Sequence, residues 1–322
     1  MSSLNINPPV ANIDISDNAT YWLWACFSVL ALSAFGLLAL GTTRPTGQRA
    51  FHHLAAAICF TASVAYYCMA SDLGAAAIPV EFIRGGSLGQ NWVQAGVRNP
   101  TRSIWYARYI DWTITTPLLL LELLFATGLP LSEVFVTIFA DIVMIICGLI
   151  GSLVASRYKW GLFAFGCAAQ FFIWYVLLGP ARASAYRLGT AYQKEYMTSA
   201  VILSALWLLY PIAWGVADGG NVITPTSEMI FYGVLDLLAK PVFCFYHCFS
   251  IHKLDYARFG LSSGKYSEVR TADEKYWNNT AVGTLSSHLS ATPDEPRAST
   301  ATAVDHNNVG GSGRKPVAGQ VA

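Results

Sequence analysis

The chain has 322 residues, 54% of them hydrophobic and only 12% charged, with a formal net charge of +1. Soluble domains carry about 25% charged residues, so this composition cannot cover a water-facing surface and indicates an integral membrane protein. The net charge argues neither for nor against nucleic acid, and no strongly basic run supports nucleic-acid binding.

In chain order, the first 19 residues lack a basic stretch followed by an apolar one, so no cleavable signal peptide is expected. They read as an extracellular N-terminal tail. A membrane-spanning helix needs about 20 mainly apolar residues. Seven segments qualify: Thr20–Gly41, His52–Ser71, Ile104–Phe125, Leu131–Val154, Lys159–Leu178, Met197–Ala217 and Ser227–Ser250. Most linkers are short, which predicts one all-α bundle of seven transmembrane helices over residues 20–250. The exception is Asp72–Ser103, whose GGSLGQN stretch reads as a turn of a hairpin. From about Gly260 Ser, Thr, Ala, Gly, Asn and Asp dominate, so residues 251–322 are expected to form a largely disordered cytoplasmic tail.

Cytoplasmic ends carry an excess of Lys and Arg. One set of helix ends holds Arg44, Arg49, Arg182, Arg187, Lys194, Lys253 and Arg258; the other holds Arg84, Arg98, Arg102, Arg157 and Lys159. The bias puts the amino terminus outside and the carboxyl terminus inside. Asn18 and Asn278 each open a glycosylation sequon, and only the first would face outside. The seven cysteines lie in apolar runs and read as small hydrophobes, not as a disulfide framework. Cys244, His247 and Cys248 fit no strong zinc spacing, and no metal site is expected.

The informative stretch is RYIDWTITTPLLLLELL, from Arg108 to Leu124. Apolar enough for lipid, it nevertheless holds Arg108, Asp111 and Glu122. Asp141 lies on the fourth span, and Glu228, Asp236 and Lys240 on the seventh. Ionisable groups inside a membrane span mark function by default. Arg108 and Asp111 are three residues apart and share a helix face. Asp111 and Glu122 are 11 apart; this is about three helical turns, so they face one way about 16 Å apart. Asp236 and Lys240, four apart, also share a face.

A buried salt-bridge cluster would pair Lys240 with Asp236 and Arg108 with Asp111. It leaves Glu122 alone among leucines, where the ionised form is very costly and a stored proton is expected. A lysine in an apolar pocket can form a Schiff base with a carbonyl compound. Once protonated, that group needs a counter-ion. Asp111 and Asp236 can supply negative charge and Arg108 would offset the surplus, giving two cations against two carboxylates.

These residues resemble the microbial (type 1) rhodopsins, most closely the bacteriorhodopsin-like proton pumps of the fungal branch. The motifs are RYIDWTITTPLLLLELL, WLLYPIAW on the sixth span, VLDLLAKP on the seventh and, more loosely, ADIVMIICGLIGS on the fourth; the resemblance runs from about Tyr21 to Phe249. It implies a seven-helix fold with an interior retinal pocket, and all-trans retinal bound as a Schiff base at Lys240. It implies Asp111 as counter-ion and proton acceptor, Asp236 as second counter-ion and Arg108 as a switchable cation. Glu122 stands at the position of the cytoplasmic proton donor, where bacteriorhodopsin has aspartate. Asp218 and Glu228 resemble the outer pair that releases the proton, although the segment from Trp214 to Asp218 is one residue shorter than in bacteriorhodopsin.

The resemblance also places Trp112, Trp207, Tyr210 and Trp214 around the chromophore. Tyr109, Thr116, Met144, Gly148 and Pro211 match other wall positions, and Asp141 matches the partner of Thr116. Tyr66 matches a position beside the counter-ion. The expectation is a light-driven outward proton pump in the plasma membrane, an ion transporter and not an enzyme, in contact with lipids and protons; homo-oligomers are common in the family. The same scaffold also serves sensory photoreceptors and light-gated channels. A chloride pump is disfavoured because a carboxylate at Asp111 would repel the anion. The remaining alternative is a receptor or transporter without retinal.

Overall fold

The fold is that of a computed structural model, which describes residues 2–81 and 99–261. Seven spans follow in order: α1 (Asp17–Thr42), α2 (Ala50–Ala70), then a hairpin of β1 (Ala76–Pro79) and β2 (Thr101–Ile104), α3 (Tyr106–Phe125), α4 (Leu131–Leu153), α5 (Lys159–Leu188), α6 (Thr190–Gly219) and α7 (Pro225–Ile251). Each helix packs on the next, and α7 returns to α1, so the bundle closes into a ring. Six of the seven are long and apolar enough to cross a membrane; α3, with Arg108, Asp111 and Glu122, is the exception. Its charges lower the mean hydropathy, yet all three are buried inside the bundle while the outer faces of the helices stay apolar.

The GGSLGQN stretch, Arg84, Arg98, Asn278 and the chain after Leu261 lie outside the described residues. Asn18 is exposed on the first turn of α1.

Two span boundaries differ from expectation. The fifth helix was expected to end at Leu178 and the sixth to start at Met197. Instead α5 continues across Pro180 to Leu188, and α6 begins at Thr190, with Gly189 between them at φ 139°. Pro180 stands at the first turn of the extension, where its missing N–H costs nothing. Apolarity ends near Leu178, but helix-forming residues do not. Arg182, Arg187 and Lys194 therefore sit on helices, not in a loop.

β1 and β2 are antiparallel, with Ile78 opposite Arg102. The segment before α1 folds onto this hairpin: Ile13 N–H donates to Thr101 O at 2.9 Å and Ser103 N–H to Ile13 O at 3.0 Å. This hairpin end of the bundle receives the start of α3, the end of α6 and the start of α7. The opposite end is filled by apolar side chains including Leu119, Leu120 and Leu123 of α3. After α7 the chain turns back, and Tyr256 and Phe259 pack edge-on against Phe51.

Candidate functional site

Prolines set the local shape of the site. A proline inside a helix removes one backbone donor and clashes with the carbonyl four residues back. Pro241 does so in α7, and residues Leu238–Val242 form a wide π-helical turn that carries Lys240. Pro211 bends α6 ahead of a second wide turn, Gly215–Gly219, which carries Asp218. Such turns recur at functional sites because they re-aim a side chain.

Lys240 Nζ lies 2.5 Å from Asp111 Oδ2 and 3.1 Å from Asp236 Oδ1, and all three side chains are buried. The two carboxylates are held differently. Tyr66 donates to Asp236 Oδ2 at 2.7 Å and Tyr210 to Asp236 Oδ1 at 2.8 Å. Asp111 Oδ1 has no hydrogen-bond partner among the described residues.

Beyond Lys240 runs an aromatic slot. Trp112 and Tyr109 of α3 line it, as do Trp207, Tyr210, Pro211 and Trp214 of α6. Met144 and Gly148 of α4 form another wall, and Thr116 donates to Asp141 Oδ2 at 2.8 Å across α3 and α4. Trp214 Nε1 closes one side by donating to Gly148 O at 3.2 Å. Sequence reasoning did not anticipate α5, which adds Phe163, Gly166, Cys167 and Gln170. Gln170, a lone amide in an apolar span, was the available signal; it donates to Trp207 O at 2.8 Å.

Toward the opposite end, Glu122 is fully buried, with Cys244 Sγ 3.5 Å from Oε2 and Cys248 Sγ 3.8 Å from Oε1. These thiols pack and donate weakly; no cluster among the described residues suits a metal ion, and all seven cysteines are free.

At the hairpin end the pairing expected from helix spacing is replaced by another. Arg108 does not pair with Asp111. Its Nη1 lies 2.6 Å from Glu228 Oε1, and its guanidinium lies 4.1 Å from the centre of the Tyr232 ring. Three residues of spacing put Arg108 and Asp111 on one face, but the long arginine side chain reaches away from Lys240, which already holds Asp111. Arg102 of β2, counted in the sequence only among the charges at the outer helix ends, is buried and places Nη2 2.7 Å from Glu228 Oε2. Asp218 accepts from Tyr109 Oη at 2.5 Å. From Lys240 to the hairpin end the cluster therefore sets Lys240, Arg108 and Arg102 against Asp111, Asp236, Glu228 and Asp218, with Glu122 and Asp141 buried apart from it.

An amine at the end of an aromatic-lined apolar slot, in a seven-helix membrane bundle, defines an integral membrane protein built to hold a long, narrow prosthetic group. A family model for bacteriorhodopsin-like proteins matches residues 17–254, and the chain belongs to that family, the microbial rhodopsins. Protein FDD123 of Trametes versicolor is 49% identical over 267 residues, 83% of this chain and 89% of that protein. The light-driven proton pump LR (Mac) of Leptosphaeria maculans has a solved structure with 30% identity and a TM-score of 0.69, covering 75% of this chain and 99% of that one. Halorhodopsin, a light-driven chloride pump, matches with 26% identity and a TM-score of 0.65, covering 76% and 98%.

Membership makes this a retinal protein of the light-driven ion-transport class and not an enzyme. The residues fit that chromophore. The slot is walled by aromatic and aliphatic side chains, Lys240 faces into it, and two carboxylates stand by to balance a cation at its nitrogen.

Proposed function

We propose that the chain is a light-driven outward proton pump, with all-trans retinal linked to Lys240 as a protonated Schiff base. The observation that carries this reading is the unequal bonding of the two carboxylates at Lys240. Both oxygens of Asp236 accept from tyrosines, whereas no tyrosine holds Asp111, whose Oδ2 faces Lys240 directly. Asp236 thus acts as a fixed anion and Asp111 as the group able to take a proton.

When bound, retinal supplies light absorption and an isomerisation that re-aims the nitrogen of the linkage. Asp111 accepts the proton from that nitrogen at hydrogen-bond range. Arg108, paired with Glu228 and not with Asp111, is the cation through which the change of charge at Asp111 reaches the outer end. Glu122, about 16 Å along α3 from Asp111, returns a proton to the nitrogen and refills from the cytoplasm. The scaffold is shared with a chloride pump, but an anionic Asp111 repels chloride, and Glu122 suits a pump better than a sensor. In this reading residues 1–19 lie outside, residues 20–250 form the retinal domain in the plasma membrane, and residues 251–322 lie in the cytoplasm. Each proton moved against 100 mV requires roughly 2.3 kcal/mol, which light must supply on every cycle.

The test is to illuminate cells expressing the protein, supplied with retinal, while recording external pH. Acidification abolished by a protonophore supports pumping. A light-induced current that reverses with voltage would indicate a channel, and an intact photocycle without any pH change would indicate a sensor.

A further inference from the structure

The outer charge cluster is not symmetrical. Arg102 is anchored at its backbone and at both terminal nitrogens. Its backbone is fixed between β1 on one side and Ile13 on the other. Its Nη1 donates to Asn221 Oδ1 at 2.6 Å and to Ile223 O at 2.7 Å, and its Nη2 to Glu228 Oε2 at 2.7 Å. Arg108 has one anionic partner, Glu228, and otherwise touches Met229 Sδ at 3.0 Å and the Tyr232 ring. Glu228 therefore holds one arginine on each oxygen, and only one of the two is free to leave.

The interior count points the same way. Lys240, Arg108 and Arg102 face Asp111, Asp236, Glu228 and Asp218, and Lys159 and Glu81, 3.6 Å apart, cancel each other, so one proton on a carboxylate brings the set to neutrality. Asp111 and Asp236 contact Lys240, and Glu228 contacts both arginines. Among the described residues, Asp218 is the one of the four in no ion pair. It also borders a small cavity of about 10 Å³, shared with Glu81, Ser152, Lys159 and Asn221, in which Glu228 has no part. Asp218 Oδ1 has no protein partner. A cavity of this size has room for about one water.

We infer that Arg102 is a positioning residue that keeps Glu228 a stationary anion, and that Asp218 alone carries the outgoing proton, through the cavity beside Asn221. This rests on the pump reading above. Asp218 starts protonated and gives its proton to the cavity as Arg108 shifts. It then regains one from Asp111, while Glu228 remains a carboxylate throughout.

Light-minus-dark infrared difference spectra of the retinal-loaded full chain in lipid vesicles test this, because carboxylic-acid carbonyl bands report protonation directly. In the wild type, a negative carboxylic-acid band should vanish in Asp218→Asn and persist in Glu228→Gln. Arg102→Gln should add a band absent from the wild type, and that band should disappear in Arg102→Gln/Glu228→Gln. Arg102→Lys should return the wild-type pattern, which a merely structural role would not require. Visible absorbance confirms that each variant is folded. A wild-type band lost in Glu228→Gln, or no new band in Arg102→Gln, overturns the inference while leaving pumping intact. Absence of light-driven transport by the wild type overturns the pump reading itself, and the inference with it.

Discussion

Lys240 Nζ on α7 lies 2.5 Å from Asp111 Oδ2 on α3, and both groups are about 1% exposed. In the proposed pump this contact would govern both colour and proton transfer. Asp111→Asn removes the acceptor and half of the negative charge at the nitrogen. Retinal should still bind, absorption should move to longer wavelength, and light-driven acidification should be abolished. A spectrum and a pH-electrode trace check this, and unchanged transport would remove Asp111 from the mechanism.

Lys240→Ala leaves the slot but deletes the one amine that the described residues place in it. No retinal should remain attached after denaturation, and the purified protein should be colourless. The variant should also lose stability. Asp111 and Asp236 would be left buried without their cation, and breaking a buried pair in this way costs about 3–5 kcal/mol. Retention of chromophore on the denatured chain would place the linkage elsewhere.

Glu122→Gln is nearly isosteric in a site whose neighbours are Cys244 and Cys248. Colour should barely change because the residue is remote from Lys240. Reprotonation should slow by about 100-fold, the lower end of the usual range for a positioned acid. Flash photolysis at fixed pH reads this rate, and a wild-type decay would reduce Glu122 to a packing residue.

The inner part of this site was legible because its signals are local. Arg108, Asp111 and Glu122 lie on one helix, Asp236 and Lys240 on another, and helical spacing alone orders each set. Arg102 was not legible. Its partner Glu228 is 126 residues away, and in the sequence it is one more charge at the outer helix ends until the N-terminal segment folds over β2. Phe163 and Gln170 escaped for another reason, since an apolar span gives no sign of which face meets the slot. The α5–α6 junction was misplaced because hydropathy marks the membrane boundary, whereas helix propensity carries the chain beyond it.

Gly233 on α7 is the point where α1 comes closest. A methyl group there would strike the indole of Trp22, whose Nε1 donates to Met229 O at 3.1 Å. The ring is rigid and hydrogen-bonded, so the strain cannot be relieved by a rotamer change. Gly233→Ala should destabilise by about 1–3 kcal/mol, seen as loss of the visible band at lower temperature. Gly161→Ala is the control. Its added methyl meets nothing within 4 Å, and helix propensity should make it neutral or slightly stabilising. Equal melting of the two variants would refute the close approach.

Asp72, between α2 and β1, offers a pH signature outside the membrane spans. Its φ of 53° is left-handed, a region that Asp and Asn tolerate. Partial burial, with the Asp14 carboxylate as a second cause, pushes its carboxyl from 3.8 up to about 6. The folded state therefore holds this proton more tightly than the unfolded state. The resulting stabilisation is complete below about pH 4 and is lost as pH rises through about 6. Asp72→Asn keeps the left-handed geometry and removes the titration. It should melt higher than the wild type at pH 7 and show a shallower decline between about pH 4 and 6. The gain is small, because solvent screens a partly exposed group. Asp14, also raised by burial, leaves a residual slope in the variant. Melting followed by the visible band from pH 4 to 8 is the measurement, and identical slopes in the two proteins would show that Asp72 titrates as it does in the unfolded chain.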